Sequence, residues 1–362
     1  MTTAQLQWTE EELLATHPVA EPLVAGGVRC HGGFADDGTY ISPRTRNRWP
    51  AIEAWKEHRS EQFGTPLLDI QLDAWPEHYP NVAQTKYLIS EGIPEPLIAI
   101  LTRIGTVEGF GAMLRYSPIP TLQKCFDEDI KGTAMAHLGG GLYEAHARDE
   151  AGFEDEGGHK QMWFAARDVA LENPVTTDQT QVMLERMGLG GAPGGGGPVG
   201  RTIMPDRVVP EIEADLEFLI ARMASLLLIE ISAFHTFAWA EEVLSDNDLF
   251  AGDGEAARLV SYIRADETPH VEYLKTTLSE MRDRTFIAES GRKIAGTDVI
   301  GTLWDRAKEQ SLGVRRQDVL KTTLREIEHA LQDNPRRADI MERFHSLGTI
   351  RPGADGRWLP AA

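Results

Sequence analysis

The chain has 362 residues, of which 41% are hydrophobic and 25% are charged, and this composition is typical of a globular protein with a substantial core. Its formal net charge of -20 repels nucleic-acid phosphates and anionic membrane surfaces, so we expect neither as a partner. Cys30 and Cys125 are too few for a disulfide framework or a cysteine-based zinc site. With no export signal in the first residues and no apolar run of membrane-spanning length, we expect a cytoplasmic protein.

The predicted elements fall into three parts. Residues 1–60 are rich in Gly, Pro, Asp and Arg and predict an irregular N-terminal extension. Residues 61–290 predict a helical domain, with a core of four helical regions at 94–116, 121–171, 210–244 and 254–282. In the second region, Gly139-Gly140-Gly141 and the stretch DEAGFEDEGG (149–158) are expected to break or kink the helix, which leaves open one bent helix or two. A crossover at 173–209, rich in Gly and Pro, separates the two halves of this core; its segment 195–202 (GGGPVGRT) is interpreted as a flexible linker or lid. Residues 291–362 predict further helices near 300–312, 315–332 and 336–347, with a polar tail. The predicted fold class is therefore all-α.

Two segments of the predicted core repeat one pattern, Asp-Glu-x-x-His. They are Asp155-Glu156-Gly157-Gly158-His159 and Asp266-Glu267-Thr268-Pro269-His270. On a helix, Glu and His three residues apart project from one face and can bind the same metal ion. Glu267 and His270 also lie in an otherwise apolar stripe, where a carboxylate is costly unless a cation compensates it. The second copy therefore predicts half of a metal site.

The preceding helix offers a partner for this half. Glu230 lies in the apolar run MASLLLIEISAFHTF. A turn near residue 249 would form an antiparallel hairpin and bring Glu230 level with Glu267. The buried acid is thus predicted to complete this half of the site.

The first half leaves several acids open. Glu108 shares an apolar helical face and ranks first as the remaining ligand, followed by Glu144 and then Glu128, whose face carries Lys124 and Lys131. His146 is interpreted as a core histidine or as one that orients a ligand, with direct contact to a metal or substrate left open. A third Glu-x-x-His, at Glu342, lacks the preceding Asp and faces solvent in the helical pattern.

This arrangement resembles the ferritin-like di-iron carboxylate superfamily, which includes ribonucleotide reductase small subunits and di-iron oxygenases. The family pattern is one Glu from each of two helices and Glu-x-x-His from each of the other two. The resemblance covers roughly residues 94–282 and implies a ferritin-like four-helix bundle. It implies metal ligands at Glu108, Glu156, His159, Glu230, Glu267 and His270. It also implies that Asp155 and Asp266 orient the ligand histidines by hydrogen bonding.

The resemblance further implies an enzyme that uses two iron ions, or iron and manganese, to activate O2 and oxidise a small organic molecule by hydroxylation, desaturation or N-oxygenation. We expect an electron-donor protein as a partner and a homo-oligomeric assembly. The alternative is a non-enzymatic ferritin-like protein that stores or handles iron, and a chain of 362 residues is longer than a storage bundle needs. A metal-free helical interaction protein would leave the buried acids unpaired and is the least favoured interpretation.

Overall fold

Helices form most of the fold, and the all-α prediction is confirmed. The computed structural model describes residues 5–19, 23–70, 75–189, 207–352 and 358–360. The helices in these ranges are α1 (Glu10–Leu13), α2 (Arg48–Phe63), α3 (Val82–Ser90), α4 (Glu95–Glu108), α5 (Tyr143–Ala151), α6 (His159–Val169), α7 (Thr177–Arg186), α8 (Ala214–Leu244), α9 (Glu255–Arg282), α10 (Gly296–Lys308), α11 (Arg316–Ala330) and α12 (Arg337–Ser346).

The strands of the described residues pair only into short antiparallel hairpins. These hairpins are β1 (Val24–Ala25) with β2 (Val28–Arg29), β3 (Gly33–Phe34) with β4 (Tyr40–Ile41), β5 (Thr285–Ile287) with β6 (Lys293–Ala295), and β7 (Ile350–Pro352) with β8 (Trp358–Pro360). The hairpins after residue 284 were not anticipated. The hairpin of β5 and β6 lies between two predicted helices and that of β7 and β8 follows the last one, so the helical pattern is unchanged.

The centre of the molecule is built from α4, α5, α6, α8 and α9. Helix α8 is apolar on nearly every side and 31 residues long, as expected of a helix that is covered all round. It packs along α9, while α6 lies against both α4 and α9. Helix α4 continues as a 3₁₀ helix over Gly109–Tyr116, and this extension packs against α5. These five helices therefore enclose a common interior.

The second predicted helical region is broken between α5 and α6. Helix α5 ends because Gly152 takes a φ of 84°. A Cβ atom on Gly158 would lie 2.2 Å from the backbone nitrogen of Gly152 and 2.6 Å from the carbonyl oxygen of Asp149, so only glycine fits where the chain passes so close to itself. The backbone of Gly157 is bound to the N-terminal part, donating to the carbonyl of Arg29 at 2.7 Å. Residues 152–158 are consequently not helical.

The crossover predicted at 173–209 contains α7, a helix that its Gly and Pro content did not indicate. It is capped by Thr176, whose side chain accepts from the backbone nitrogen of Gln179. The interpretation of 195–202 as a linker or lid falls outside the described residues.

Among the described residues, the helical stretch Glu95–Tyr116 is long and apolar enough, by length and composition only, to cross a membrane. In its most apolar window, 39% of the residues are buried inside the protein. Leu97, Ile100 and Leu101 of this stretch are at most 3% exposed and belong to the core around α6 and α8. Burial in the core explains their apolar character.

Candidate metal centre

Buried His, Glu and Asp side chains form three groups that could hold a metal ion. One group consists of Glu108, Glu150, His159 and Glu267, and a second consists of His146, Glu150, Glu230 and His270. Both lie in the interior between α4, α5, α6, α8 and α9. They share Glu150, so seven residues form two adjoining sets of ligand atoms.

Glu150 directs its two oxygen atoms to different histidines. Its Oε1 lies 3.4 Å from Nδ1 of His270 and 3.4 Å from Nε2 of His146, whereas its Oε2 lies 3.4 Å from Nδ1 of His159. A carboxylate placed in this way can bridge two cations, with one oxygen on each.

Glu267 repeats this arrangement from the opposite helix. Its Oε1 lies 3.0 Å from Nδ1 of His159, and its Oε2 lies 2.8 Å from Nδ1 of His270. At the two ends, Glu108 Oε2 lies 3.6 Å from Nδ1 of His159, and Glu230 Oε1 lies 3.3 Å from Nε2 of His146. The geometry therefore has two carboxylates in the middle and one at each end.

Several of these ligand atoms are buried without a hydrogen-bond partner in the described part of the chain. They are His146 Nε2, Glu150 Oε2, His159 Nδ1 and Glu267 Oε1. A buried polar atom left unpaired costs free energy, and such atoms are rare in folded proteins. These four point into the same interior, so the donor set fits a bound cation.

Asp149 holds the imidazole of His270 from behind. Its Oδ2 accepts a hydrogen bond from Nε2 of His270 at 3.0 Å, which leaves Nδ1 of the same ring facing Glu150 and Glu267. Arg44 and Arg48 each form an ion pair with Asp149. Although burial opposes ionisation, the two guanidinium groups hold the pKa of Asp149 well below its usual range.

Asp266 lies in the corresponding place behind His159. Its Oδ2 is 3.5 Å from Nε2 of His159 and accepts hydrogen bonds from Nε2 of His31 at 2.9 Å and from the hydroxyl of Tyr40 at 2.8 Å. His31, His159 and Asp266 form the third group that could hold a metal ion. Because Asp266 also keeps Tyr40 as a partner, we interpret this group as a support for His159.

The charges of the site oppose one another. Burial raises the pKa of Glu108 well above its usual value, and Glu150 raises it further. Burial also raises the pKa of Glu267 well above its usual value, with Glu230 acting in the same direction. Burial and the neighbouring His146 lower the pKa of His270 to about 4, whereas, against the effect of burial, Glu150 and Glu230 raise the pKa of His146 to about 9.

Five of the residues predicted from the sequence meet at this site. They are Glu108, His159, Glu230, Glu267 and His270. Glu230 and Glu267 are close because α8 and α9 form the expected antiparallel hairpin. Asp266, predicted to orient a histidine, lies behind His159 rather than behind His270 of its own helix.

The other predicted residues lie elsewhere. Glu156 is in the non-helical segment between α5 and α6, where it faces a surface cavity beside Arg29 and Arg44. Asp155 pairs with Arg29 at 2.8 Å, and 76% of the Asp155 side chain is exposed. Helix α6 begins only at His159, so Glu156 and His159 do not share a helical turn. Placing Glu156 among the ligands and Asp155 behind a histidine therefore disagrees with this geometry.

The two rivals of Glu108 also have other partners. Glu144 pairs with Arg148 at 2.7 Å and with Arg115 at 3.4 Å, on the side of α5 away from the cluster. Glu128 accepts a hydrogen bond from the backbone nitrogen of Thr285 at 2.9 Å, at the start of β5. Glu108 is the acid that reaches the cluster from α4.

Sequence reasoning missed Glu150 and treated His146 as a secondary candidate. One signal was present: Asp149-Glu150 is another Asp-Glu pair, and His146 precedes Glu150 by four positions, so both share a face of α5. Arg44, Arg48 and His31 were not identified at all, because only tertiary folding brings the N-terminal part behind the cluster.

A cavity of about 410 Å³ adjoins one end of the site. Glu108 lines it, and the side chain of Glu108 is 10% exposed, whereas those of His159 and Glu267 are fully buried. Most of the wall is apolar and comes from α4, α8 and residues 311–320. The volume is within the range of pockets that hold small organic molecules.

Comparisons of this chain with protein-family models, with curated proteins and with solved structures find no match.

Proposed function

We propose that this chain is an O2-activating oxidase or oxygenase with a ferritin-like core that binds two iron ions and oxidises a small organic molecule. The observation that carries the proposal is the arrangement of Glu150 and Glu267. Each places one oxygen near His159 and the other near His270, which is the arrangement needed for two carboxylates to bridge a pair of cations. Glu108 and His159 would complete the ligands of one ion. His146, Glu230 and His270 would complete those of the other.

The donor set supports iron or manganese. Three imidazoles with four carboxylates are the mixed nitrogen and oxygen ligands that redox-active iron accepts, whereas structural zinc prefers a closed tetrahedron with cysteine or histidine. Four ionised carboxylates carry four negative charges, which two divalent cations would neutralise in this buried place. When bound, a pair of irons supplies electrons to O2 and yields an oxidant for an organic substrate.

The chain itself would position the reactants. Asp149 and Asp266 hold the imidazoles of His270 and His159 from behind, so that both rings direct Nδ1 inward. The cavity beside Glu108 would admit the substrate, and its apolar wall would keep bulk water from the reacting end. An electron-donor protein belongs to the proposal, since oxygenation consumes electrons that the substrate does not supply.

The cavity favours an enzyme over an iron-storage protein, because storage needs no organic pocket of about 410 Å³ next to a metal ligand. The two functions differ in how much iron the chain takes up. A storage protein continues to take up ferric iron well beyond a few ions per chain. The proposed centre is filled by about two ions per chain.

Anaerobic reconstitution with Fe(II), followed by mixing with O2 in a stopped-flow spectrophotometer, tests the proposal. We expect about two irons per chain and a transient visible absorption that forms and decays after mixing. The variant Glu150→Gln should lose both the iron and the transient, while the control Glu156→Gln keeps them. Continued uptake of many ferric ions per chain would favour storage, and no specific iron binding would refute both functions.

A further inference from the structure

The cavity beside Glu108 has two positive charges in an otherwise apolar wall. Arg103 and Arg315 both line it. The neighbouring apolar surface comes from Ile104, Val107, Ile229, Phe237, Leu312 and Val319. Cations beside apolar surface lose hydration, which is costly unless an anion compensates the loss.

Neither arginine has a carboxylate partner at ion-pair distance among the described residues. The polar contact of Arg103 is the hydroxyl of Thr323 at 3.5 Å. Glu326, which acts on Arg103 at longer range, is paired with Arg186. Burial lowers the pKa of the Arg103 guanidinium and of the Arg315 guanidinium, as expected for cations that lack a close counter-ion.

Arg316, a third arginine of the cavity, is different because it lies near an acid. Its Nη2 donates to the backbone oxygen of Glu77 at 3.5 Å, and the carboxylate of Glu77 raises the pKa of Arg316 against the effect of burial. The Glu77 carboxylate in turn accepts hydrogen bonds from Asn81 and Thr349. Arg103 and Arg315 are therefore the cations of this cavity that are available to an anionic ligand.

The position of Arg103 also limits the length of a ligand. Arg103 and Glu108 are five residues apart on α4, which corresponds to about 7.5 Å along the helix axis. A molecule with an anionic group at Arg103 would therefore place atoms one to two helical turns away beside Glu108. That span suits an elongated apolar body with the charge at one end.

We propose that this cavity binds a small organic carboxylate, with its carboxylate group between Arg103 and Arg315 and its apolar body directed towards Glu108. This assignment rests on the proposed function for the claim that the molecule is a substrate, whereas the binding itself depends only on the cavity. The planar guanidinium fork matches a carboxylate with two parallel hydrogen bonds, which favours this anion.

Isothermal titration calorimetry with three probes that share one body tests the assignment: 4-phenylbenzoate, its neutral amide and the matching phosphonate. We expect the native protein to bind the carboxylate at least tenfold more tightly than the amide. Arg315→Gln and Arg103→Gln should each reduce that preference severalfold. Arg325→Gln, which removes an exposed arginine of α11 outside the cavity wall, should leave it unchanged.

Several results would overturn the assignment: equal affinity for carboxylate and amide, no binding of the carboxylate, tighter binding of the phosphonate, or an unchanged preference in both cavity variants. Arg315 keeps part of its surface exposed to solvent, whereas Arg103 is more enclosed, so the Arg315 variant is expected to fold even if that of Arg103 does not. Iron content measured on the same samples separates the two proposals. A carboxylate preference without iron binding refutes only the oxygenase, and iron binding without the preference refutes only the substrate class.

Discussion

Asp149 and His270 come from different helices, and Oδ2 of Asp149 lies 3.0 Å from Nε2 of His270. Asp149 immediately precedes Glu150, whose carboxylate faces the other nitrogen of the same ring. The opposite helix repeats the arrangement, since Asp266 precedes Glu267 and lies behind His159. Each Asp-Glu pair thus places its Glu between the two proposed ions and its Asp behind the histidine of the opposite half.

Replacing Glu150 should remove metal binding altogether. Glu150→Gln takes away a negative charge and one oxygen from the middle of the site, so both proposed ions lose a ligand. We expect bound iron to fall from about two per chain to well below one. Elemental analysis after anaerobic loading and desalting measures this.

Glu156→Gln is the matched control for that variant, because it removes a carboxylate six positions away that faces a surface cavity. Its iron content should equal that of the native protein. Loss of iron in Glu156→Gln with retention in Glu150→Gln would show that Glu156 is the ligand.

Replacing Asp149 should weaken metal binding without abolishing it. Asp149→Asn lowers the basicity of His270 and weakens the hydrogen bond that orients its ring. It also leaves Arg44 and Arg48 without their counter-ion. Loss of a group that orients a ligand typically lowers metal affinity by about 10- to 100-fold. Competition with a chromophoric chelator measures the change. Asp155→Asn, at an exposed ion pair, should bind metal like the native protein, and an equal loss in both variants would contradict this role of Asp149.

The 3₁₀ extension of α4 leaves space for Glu150 through Gly111. A Cβ atom there would lie 2.2 Å from Cγ and 2.6 Å from Cβ of Glu150. Gly111→Ala should therefore displace Glu150, lower the iron content and reduce the melting temperature. Gly301→Ala, in α10 with open space around it, should instead stabilise the fold by about 0.5–1 kcal/mol. Thermal unfolding and elemental analysis of both variants check this, and normal iron content in Gly111→Ala would contradict it.

Glu280, which lies outside the candidate metal centre, makes the free energy of unfolding depend on pH. It is buried and accepts hydrogen bonds from the backbone nitrogens of Ala134 and Met135, and burial raises its pKa from 4.5 to about 7. Between these values the folded protein holds a proton that the unfolded chain has released, so the free energy of unfolding falls as pH rises from about 5 to 7.

The variant Glu280→Gln isolates this effect. The stability of the native protein relative to the variant should fall by roughly 1–3 kcal/mol across that pH range. Urea unfolding of both proteins at several pH values measures the difference, with the exposed Glu342→Gln as the control. A difference that stays constant or grows with pH would contradict the sign.

The hairpin of α8 and α9 was accessible from the sequence because its information is local. Glu230 and Glu267 stand alone in apolar helical stripes, and Glu267 and His270 lie three positions apart on an unbroken helix. Hydrophobic periodicity with chain spacing is sufficient to place such residues.

The first half of the site was harder because two Asp-Glu pairs lie only six positions apart, at 149–150 and 155–156. The conventional three-residue spacing to His159 favoured the second pair. The helix instead ends at Ala151, just before Gly152, so the candidate ligands Glu150 and His159 lie on the two sides of a loop. The N-terminal side chains that bind Asp149 and Asp266 belong to residues 31–48, more than 100 positions away in the chain. No local sequence pattern predicts such contacts.

X-ray absorption spectroscopy of the iron-loaded protein tests most directly whether Glu150 and Glu267 bridge two ions. The geometry predicts oxygen and nitrogen neighbours together with an iron–iron distance of about 3–4 Å, which disappears in Glu150→Gln. Isolated single irons with no neighbouring metal, in a native protein saturated with Fe(II), would contradict the dinuclear centre.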